Sequence, residues 1–230
     1  MGTLTADAII LKARRIFQDD TGVRWQDAEE LDWLNDGQRE IVLIRPDANV
    51  VNATVLLSVG TKQTIPAAGV TLIDVVRNMV GAGQATAGKV VRLVDREVLD
   101  ATNPDWHSQA ASANGEVDHY VFDKRDPKTF YVYPQPPATP NGIELVYSAA
   151  PDVVAFVNDT IKIDDIYANA LLDYMLYRSY SKDADYSGNV NRAAAHFQAF
   201  LQSLGMKAQT DAVNDPNNVA VPNRNTVAGR

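Results

Sequence analysis

Residues 166–205 read IYANALLDYMLYRSYSKDADYSGNVNRAAAHFQAFLQSLG, two helical stretches joined by a short polar loop. In the second, Val190, Ala194, Phe197, Leu201 and Leu204 recur at spacings of four, three, four and three, which sets them on one side of an α-helix. Gly205 stands where a C-terminal cap belongs. The first stretch differs: from Ile166 to Tyr180 apolar and tyrosine residues leave almost no polar face, as in a helix covered on several sides. One partner helix cannot cover that much, so the rest of the chain, or another copy of it, must. This surplus nominates Tyr167, Leu171, Tyr174, Met175, Tyr177 and Arg178 for packing between subunits. If Phe197 lies in a core, Phe197→Ala should cost about 3–5 kcal/mol.

Working outward, Thr5 is placed to cap a helix that carries Asp7 in its first turn and apolar residues at Ala6, Ile9, Ile10, Ala13, Ile16 and Phe17, to about Gln18. A second helix, Gln26 to Ile44, shows Leu31, Leu34, Gln38, Ile41 and Val42 on one face, and Pro46 ends it. Trp33 falls off that face and is expected against another layer. At Val50 the period changes to two: Val51, Ala53, Val55, Leu57 and Val59 alternate with their neighbours as a half-buried strand, and Lys62–Ile65 returns as a short partner. Residues 70–80 are apolar and fit either helix or strand. The loop GAGQATAGK precedes a strand from Val90 to Val94, and 95–115 reads as irregular with about one helical turn, anchored by Trp106. His119–Phe122 and Phe130–Tyr133 form a hairpin about Asp126-Pro127, and a last strand runs from Ile143 to Tyr147.

The order is therefore α+β: a helical bundle formed by N- and C-terminal helix pairs, with an inserted small antiparallel β-sheet region and an extended C-terminal arm. The expected divisions are 1–48, an N-terminal helical hairpin; 49–150, the β-rich insert; 151–205, the C-terminal pair completing the bundle; and 206–230, an extended or disordered arm without aromatic residues or an apolar period.

The totals narrow the function. A hydrophobic content of 46% with 22% charged residues over 230 positions suits a soluble globular protein with ample core. No apolar run reaches the length of a membrane span, and the first residues lack the apolar core of a signal peptide. With no cysteine there are no disulfides or thiolate metal sites, which fits synthesis in a reducing cytoplasm. A net charge of −8 argues against general nucleic-acid binding, because phosphate is held mostly by Lys and Arg.

Three patterns resemble chemistry and fall short of it. Gly83 to Lys89, GQATAGK, has phosphate-loop spacing up to its lysine, but Val90 replaces the Ser or Thr that would hold magnesium, and the following VVRLV favours a strand over a helix N-terminus. Asp183, Asp185, Ser187 and Gly188 match the opening of a calcium loop, yet Ala194 stands where the bidentate carboxylate belongs, so capping and turning the chain is the better account. His107, His119 and His196 lack a second ligand at helical spacing. Glu29-Glu30 and Asp164-Asp165 suit helix starts, and Asp19-Asp20 a loop surface. No catalytic, cofactor or metal residues are assigned.

Three segments taken in order carry a resemblance. They are Trp25 and Leu31 ahead of WLNDGQREIV (33–42); DHYVFDKRDPKTFYVYPQPP (118–137); and ALLDYMLYRSYSKDADYSGN (170–189) with FQAFLQSLG (197–205). Over roughly 5–205 the chain resembles the head-to-tail adaptor, or connector, proteins of tailed bacteriophages, and is similar to the tail tubular protein A group. The resemblance implies a virion structural protein, made in the host cytoplasm and placed at the head–tail junction. It implies a homo-oligomeric ring, a dodecamer, beneath the portal protein, meeting a tail nozzle or tail-tube protein and prolonging the channel for genome retention and ejection. DNA would pass through without specific binding, and an acidic wall would let it slide. The expected portal-docking arm is 211–230, with Val219, Val221 and Pro222 as apolar anchors and Arg224 and Arg230 as charged ones. The alternatives are a tail-completion or gatekeeper protein that meets the tail tube and not the portal, or a nucleotide-binding enzyme using Gly83–Lys89.

Overall fold

A computed structural model describes residues 2–183, 185 and 187–214. It is α+β, with five α-helices and two four-stranded sheets among the described residues. Helix α1, Ala6–Phe17, starts on Thr5, whose hydroxyl accepts from the Ala8 N–H at 3.3 Å, and ends on Gln18 in the left-handed region, φ 60°. Helix α2 is Asp27–Ile44, and a 3-10 turn at Pro46–Ala48 leads from it into the sheets. Helices α4, Ala168–Lys182, and α5, Ser187–Asn214, close the described chain.

Residues of α1, α2, α4 and α5 share one apolar cluster, from Ile9 and Leu34 to Leu171, Met175, Phe200 and Leu204. The face that α2 buries is wider than its apolar spacing predicts, because Glu30, Trp33, Asn35, Gly37 and Gln38 are inside as well. Trp33 does not serve another layer; it meets Trp25 edge-on at 5.5 Å within the same cluster.

The β region is two sheets packed through a common core, where one was expected. Strands β1 (Val50–Leu56), β8 (Gly142–Ala149), β3 (Gly69–Val80) and β4 (Thr86–Val90) make the first, in that order. Strands β2 (Lys62–Thr64), β7 (Thr129–Tyr133), β6 (His119–Phe122) and β5 (Arg92–Leu93) make the second. Leu72, Val75, Ile143 and Leu145 of one sheet share a buried cluster with Tyr120, Phe130 and Val132 of the other.

The chain crosses between sheets at both margins. Leu57 is buried where β1 gives way to β2, and Val91 where β4 gives way to β5. This crossing corrects the expected strand at 90–94: Val91 turns inward and splits it. It also ends the alternation begun at Val51, leaving Val59 exposed. The pair β5–β6 is parallel, so the region is not wholly antiparallel. Residues 70–80, open between helix and strand in the sequence, are strand β3. Between 95 and 115 lies a helix longer than expected, α3, Arg96–Thr102, capped by Asp95. Trp106 anchors that segment, buried against Leu99 and Val121 with its indole N–H donating to Asp100 at 2.8 Å.

Helix α5 does not stop at Gly205. It continues to Asn214, so residues 206–214 are helical and not part of an extended arm. Ion pairs tie down the extra turns: Asp211 accepts from Lys207, four residues before it, at 2.7 Å and from Arg45, which no local pattern announces, at 2.6 Å, and Arg45 also grips Asp47.

Candidate interaction surfaces

The segment WLNDGQREIV works inward. Asn35 binds the buried backbone of Val154 on both sides, donating to its carbonyl at 3.0 Å and accepting from its N–H at 2.8 Å. Gln38, three residues on and on the same face of α2, accepts from the Lys162 N–H at 2.7 Å. Together they fasten residues 154–162, the connection from the sheets to α4, onto α2. Gly37 lets α4 come close: a Cβ there would lie 2.6 Å from Leu171 and 2.9 Å from Tyr174.

A charged knot fixes the turn between α1 and α2. The Arg14 guanidinium binds Glu30 at 2.5 Å and Asp27 at 2.6 Å, while Asp19 accepts from the N–H groups of Val23, Arg24 and Trp25. Glu30 is fully buried and its Oε1 has no partner; burial outweighs Arg14 and pushes its carboxyl from the usual 4.5 up to about 7. Asp19 is held below the usual carboxylate range by the three N–H groups, against the opposing effect of desolvation.

Of the six residues nominated for subunit packing, Tyr167, Leu171, Tyr174 and Met175 are buried in this chain's own core. Tyr177 is half-buried against Phe197, ring centroids 4.8 Å apart, and Arg178 lies 3.9 Å from Asp36 on α2. The apolar girth of α4 is thus covered by α1, α2 and α5 of the same chain, and a sister subunit is not needed to hide it. The stripe proposed on α5 is also turned. Asn189, Ala193, Phe200 and Leu204 face the core, Phe197 is half-buried, and Val190, Ala194 and Leu201 face solvent.

The chemistry-like patterns are accounted for by structure. Lys89 lies on strand β4 and not at a helix start; its N–H donates to Glu116 at 3.1 Å and its ammonium lies 3.8 Å from the same carboxylate. Asp183 is bound by Arg24 and by the Asn189 amide at 2.6 Å, which ties the α4–α5 turn to the α1–α2 turn. His107 stacks on Trp106, its Nδ1 lying 2.7 Å from the Thr61 hydroxyl, and His196 meets Asp173 at 2.9 Å. Among the described residues no three His, Asp or Glu side chains converge as a metal cluster would require.

A concavity of about 590 Å³ lies between α3 and the β6–β7 hairpin; its Arg96 and Arg125 are already paired with Asp100 and Asp123. Val219, Val221, Pro222, Arg224 and Arg230 lie outside the described residues. Sequence reasoning missed the roles of Asn35, Gln38, Arg45 and Asp211, although it placed Gln38 on the face that α2 buries. The first two were legible as polar residues spaced three apart on an otherwise apolar helix face; the pair Arg45–Asp211 carries no local signal.

Arg14, Asn35, Gln38, Arg45 and Asp183 each fasten one segment of the chain to another, as a structural component requires. Comparison with protein families agrees: the chain belongs to the SU10 adaptor protein family, whose sequence model matches residues 4–220. This is a phage head-to-tail adaptor family, so the chain is a structural protein of the virion that meets other head and tail components. None of the curated proteins compared with it matches. Among the described residues no helix is long and apolar enough to cross a membrane.

Proposed function

We propose that copies of this chain form a ring, a dodecamer, that joins the phage portal to the tail and prolongs the DNA channel for genome retention and ejection. The observation that carries this reading is the family match across residues 4–220. The helical part, read as one bundle of the N- and C-terminal pairs, builds the ring wall, and the sheets face the tail or the periphery. The wall holds the genome without gripping it. The net charge is −8, and cations such as Arg14, Arg45, Arg77 and Arg178 are engaged by carboxylates of the same chain, which weakens any hold on phosphate. The role is mechanical, and no reaction is assigned to it.

Residues 211–230 form the docking arm, with Val219, Val221, Pro222, Arg224 and Arg230 as its contacts on the portal. Its first four residues are the last turn of α5, where Asp211 is clasped by Arg45. The test compares the full chain with one lacking 215–230 for capture by purified portal and by purified tail-tube protein. The full chain should bind portal, and the shortened one should lose that binding while keeping its melting temperature. Normal portal binding by the shortened chain would remove the docking assignment. Capture by the tail tube alone would favour the gatekeeper role.

A further inference from the structure

Helix α5 has an outer face that none of the described residues covers. Val190, Ala194, Gln198, Leu201, Gly205 and Ala208 follow one another at intervals of three or four, and all six are exposed. Val190 is 53% and Leu201 42% accessible, and the neighbouring Met206 67%. From Ser187 to Thr210 the helix carries no acidic residue in a chain of net charge −8. Its two cations turn elsewhere, Arg192 over the Tyr180 ring at 5.7 Å and Lys207 toward Asp211 at 2.7 Å.

Gly205 adds an independent observation. It lies inside α5, nine residues before the end at Asn214, where glycine weakens a helix relative to alanine. The fold gives no reason for it, since a Cβ there would meet nothing within 4 Å. A glycine that costs helix stability, with no neighbour among the described residues, leaves room for a backbone to approach from outside.

We propose that this face of α5 is where a second copy of the chain packs, with Gly205 at the closest approach. The electrostatics select the occupant. Two copies of one acidic chain repel over most of their surfaces, and contact is favoured along the long face that has no carboxylate. Depletion of acidic residues, with an exposed Met beside the face, is also the compositional mark of the centre of a protein–protein interface. The face is not self-complementary by symmetry alone. In a ring it meets a different surface of the next copy, and the contact repeats until the ring closes.

This inference rests on the ring proposed above, and the experiment separates the two. Wild type, Gly205→Ala and Gly205→Leu are sized by light scattering, alone and on purified portal, and melted as dilute monomers. Gly205→Ala should raise the monomer Tm by about 1–4 °C while weakening the ring, a split that a merely structural glycine would not give. Gly205→Leu should melt like wild type or higher and form no ring.

Because the chain lacks cysteine, Gln198→Cys gives a single thiol, which should react freely in the monomer and be protected in the ring. A ring formed normally by Gly205→Leu, or a Gln198→Cys thiol still open in the ring, would overturn the contact and leave the ring reading standing. A thiol open in the empty ring and protected only when DNA is added would assign the face to the channel wall and overturn it as well. Absence of any ring from the wild-type chain, alone and on portal, would overturn both readings.

Discussion

Replacing Asn35 with alanine tests the idea that α2 is a fastening for the connection between sheets and helices. The side chain makes two bonds to one residue, 2.8 Å from the Val154 N–H and 3.0 Å from its carbonyl, and it also accepts at 3.5 Å from Gln38. Val154 is 1% exposed, so water cannot replace the lost partner without opening the connection. Each buried backbone group left unsatisfied costs about 1–3 kcal/mol, so the pair should cost about 2–6 kcal/mol. For a chain of this size that corresponds to a fall in Tm of about 4–24 °C, read by scanning calorimetry or by urea midpoint. Asn35→Leu separates the causes. Leucine restores the volume without the hydrogen bonds, so it should be about as damaging as alanine. A Tm for Asn35→Ala within about 2 °C of wild type would refute the reasoning, and so would full recovery with leucine.

Stability should also depend on pH through Glu30. Burial raises its folded pKa from 4.5 to about 7, so its contribution is complete below about pH 4.5 and is lost as pH climbs through 7, a swing of at most about 3 kcal/mol. Glu30→Gln, neutral throughout, should flatten that part of the curve; urea midpoints at pH 5 and pH 8 check it, and an unchanged slope would remove Glu30 as the source. Phe200 is fully buried beside Tyr174, with ring centroids 5.4 Å apart, so Phe200→Ala should cost about 3–5 kcal/mol. Phe197→Ala, at a half-buried position, should cost clearly less in the same denaturation experiment, which reverses the ranking that spacing alone gives.

Helices α1, α2 and α4 were legible because each announces itself within one or two turns: Thr5 as a cap, Pro46 as a stop, an unbroken apolar run from Ile166. The same local signals failed wherever the deciding partner lay far along the chain. Gly205 reads as a cap because little after it has an apolar period, yet the helix persists because Arg45, some 160 residues earlier, holds Asp211. Val91 reads as the second residue of a strand, and only the presence of two sheets makes it a crossing point. On α5, Val190, Ala194 and Leu201 were rightly grouped on one side of the helix. The same grouping mistook that side for the buried one, because Asn189 and Ala193 carry little apolar weight and still face the core.

A covered helix face has one sequence signature whether its cover is the same chain or a second copy. The apolar girth of α4 therefore could not decide between a folded core and a subunit contact, and the fold assigns it to the core. What remains after the fold has taken its share is more informative: exposed Val190, Leu201 and Met206, no carboxylate for six turns, and a glycine that no neighbour among the described residues requires. An interface in this family member is better sought in that remainder than in the most hydrophobic stretch of the sequence.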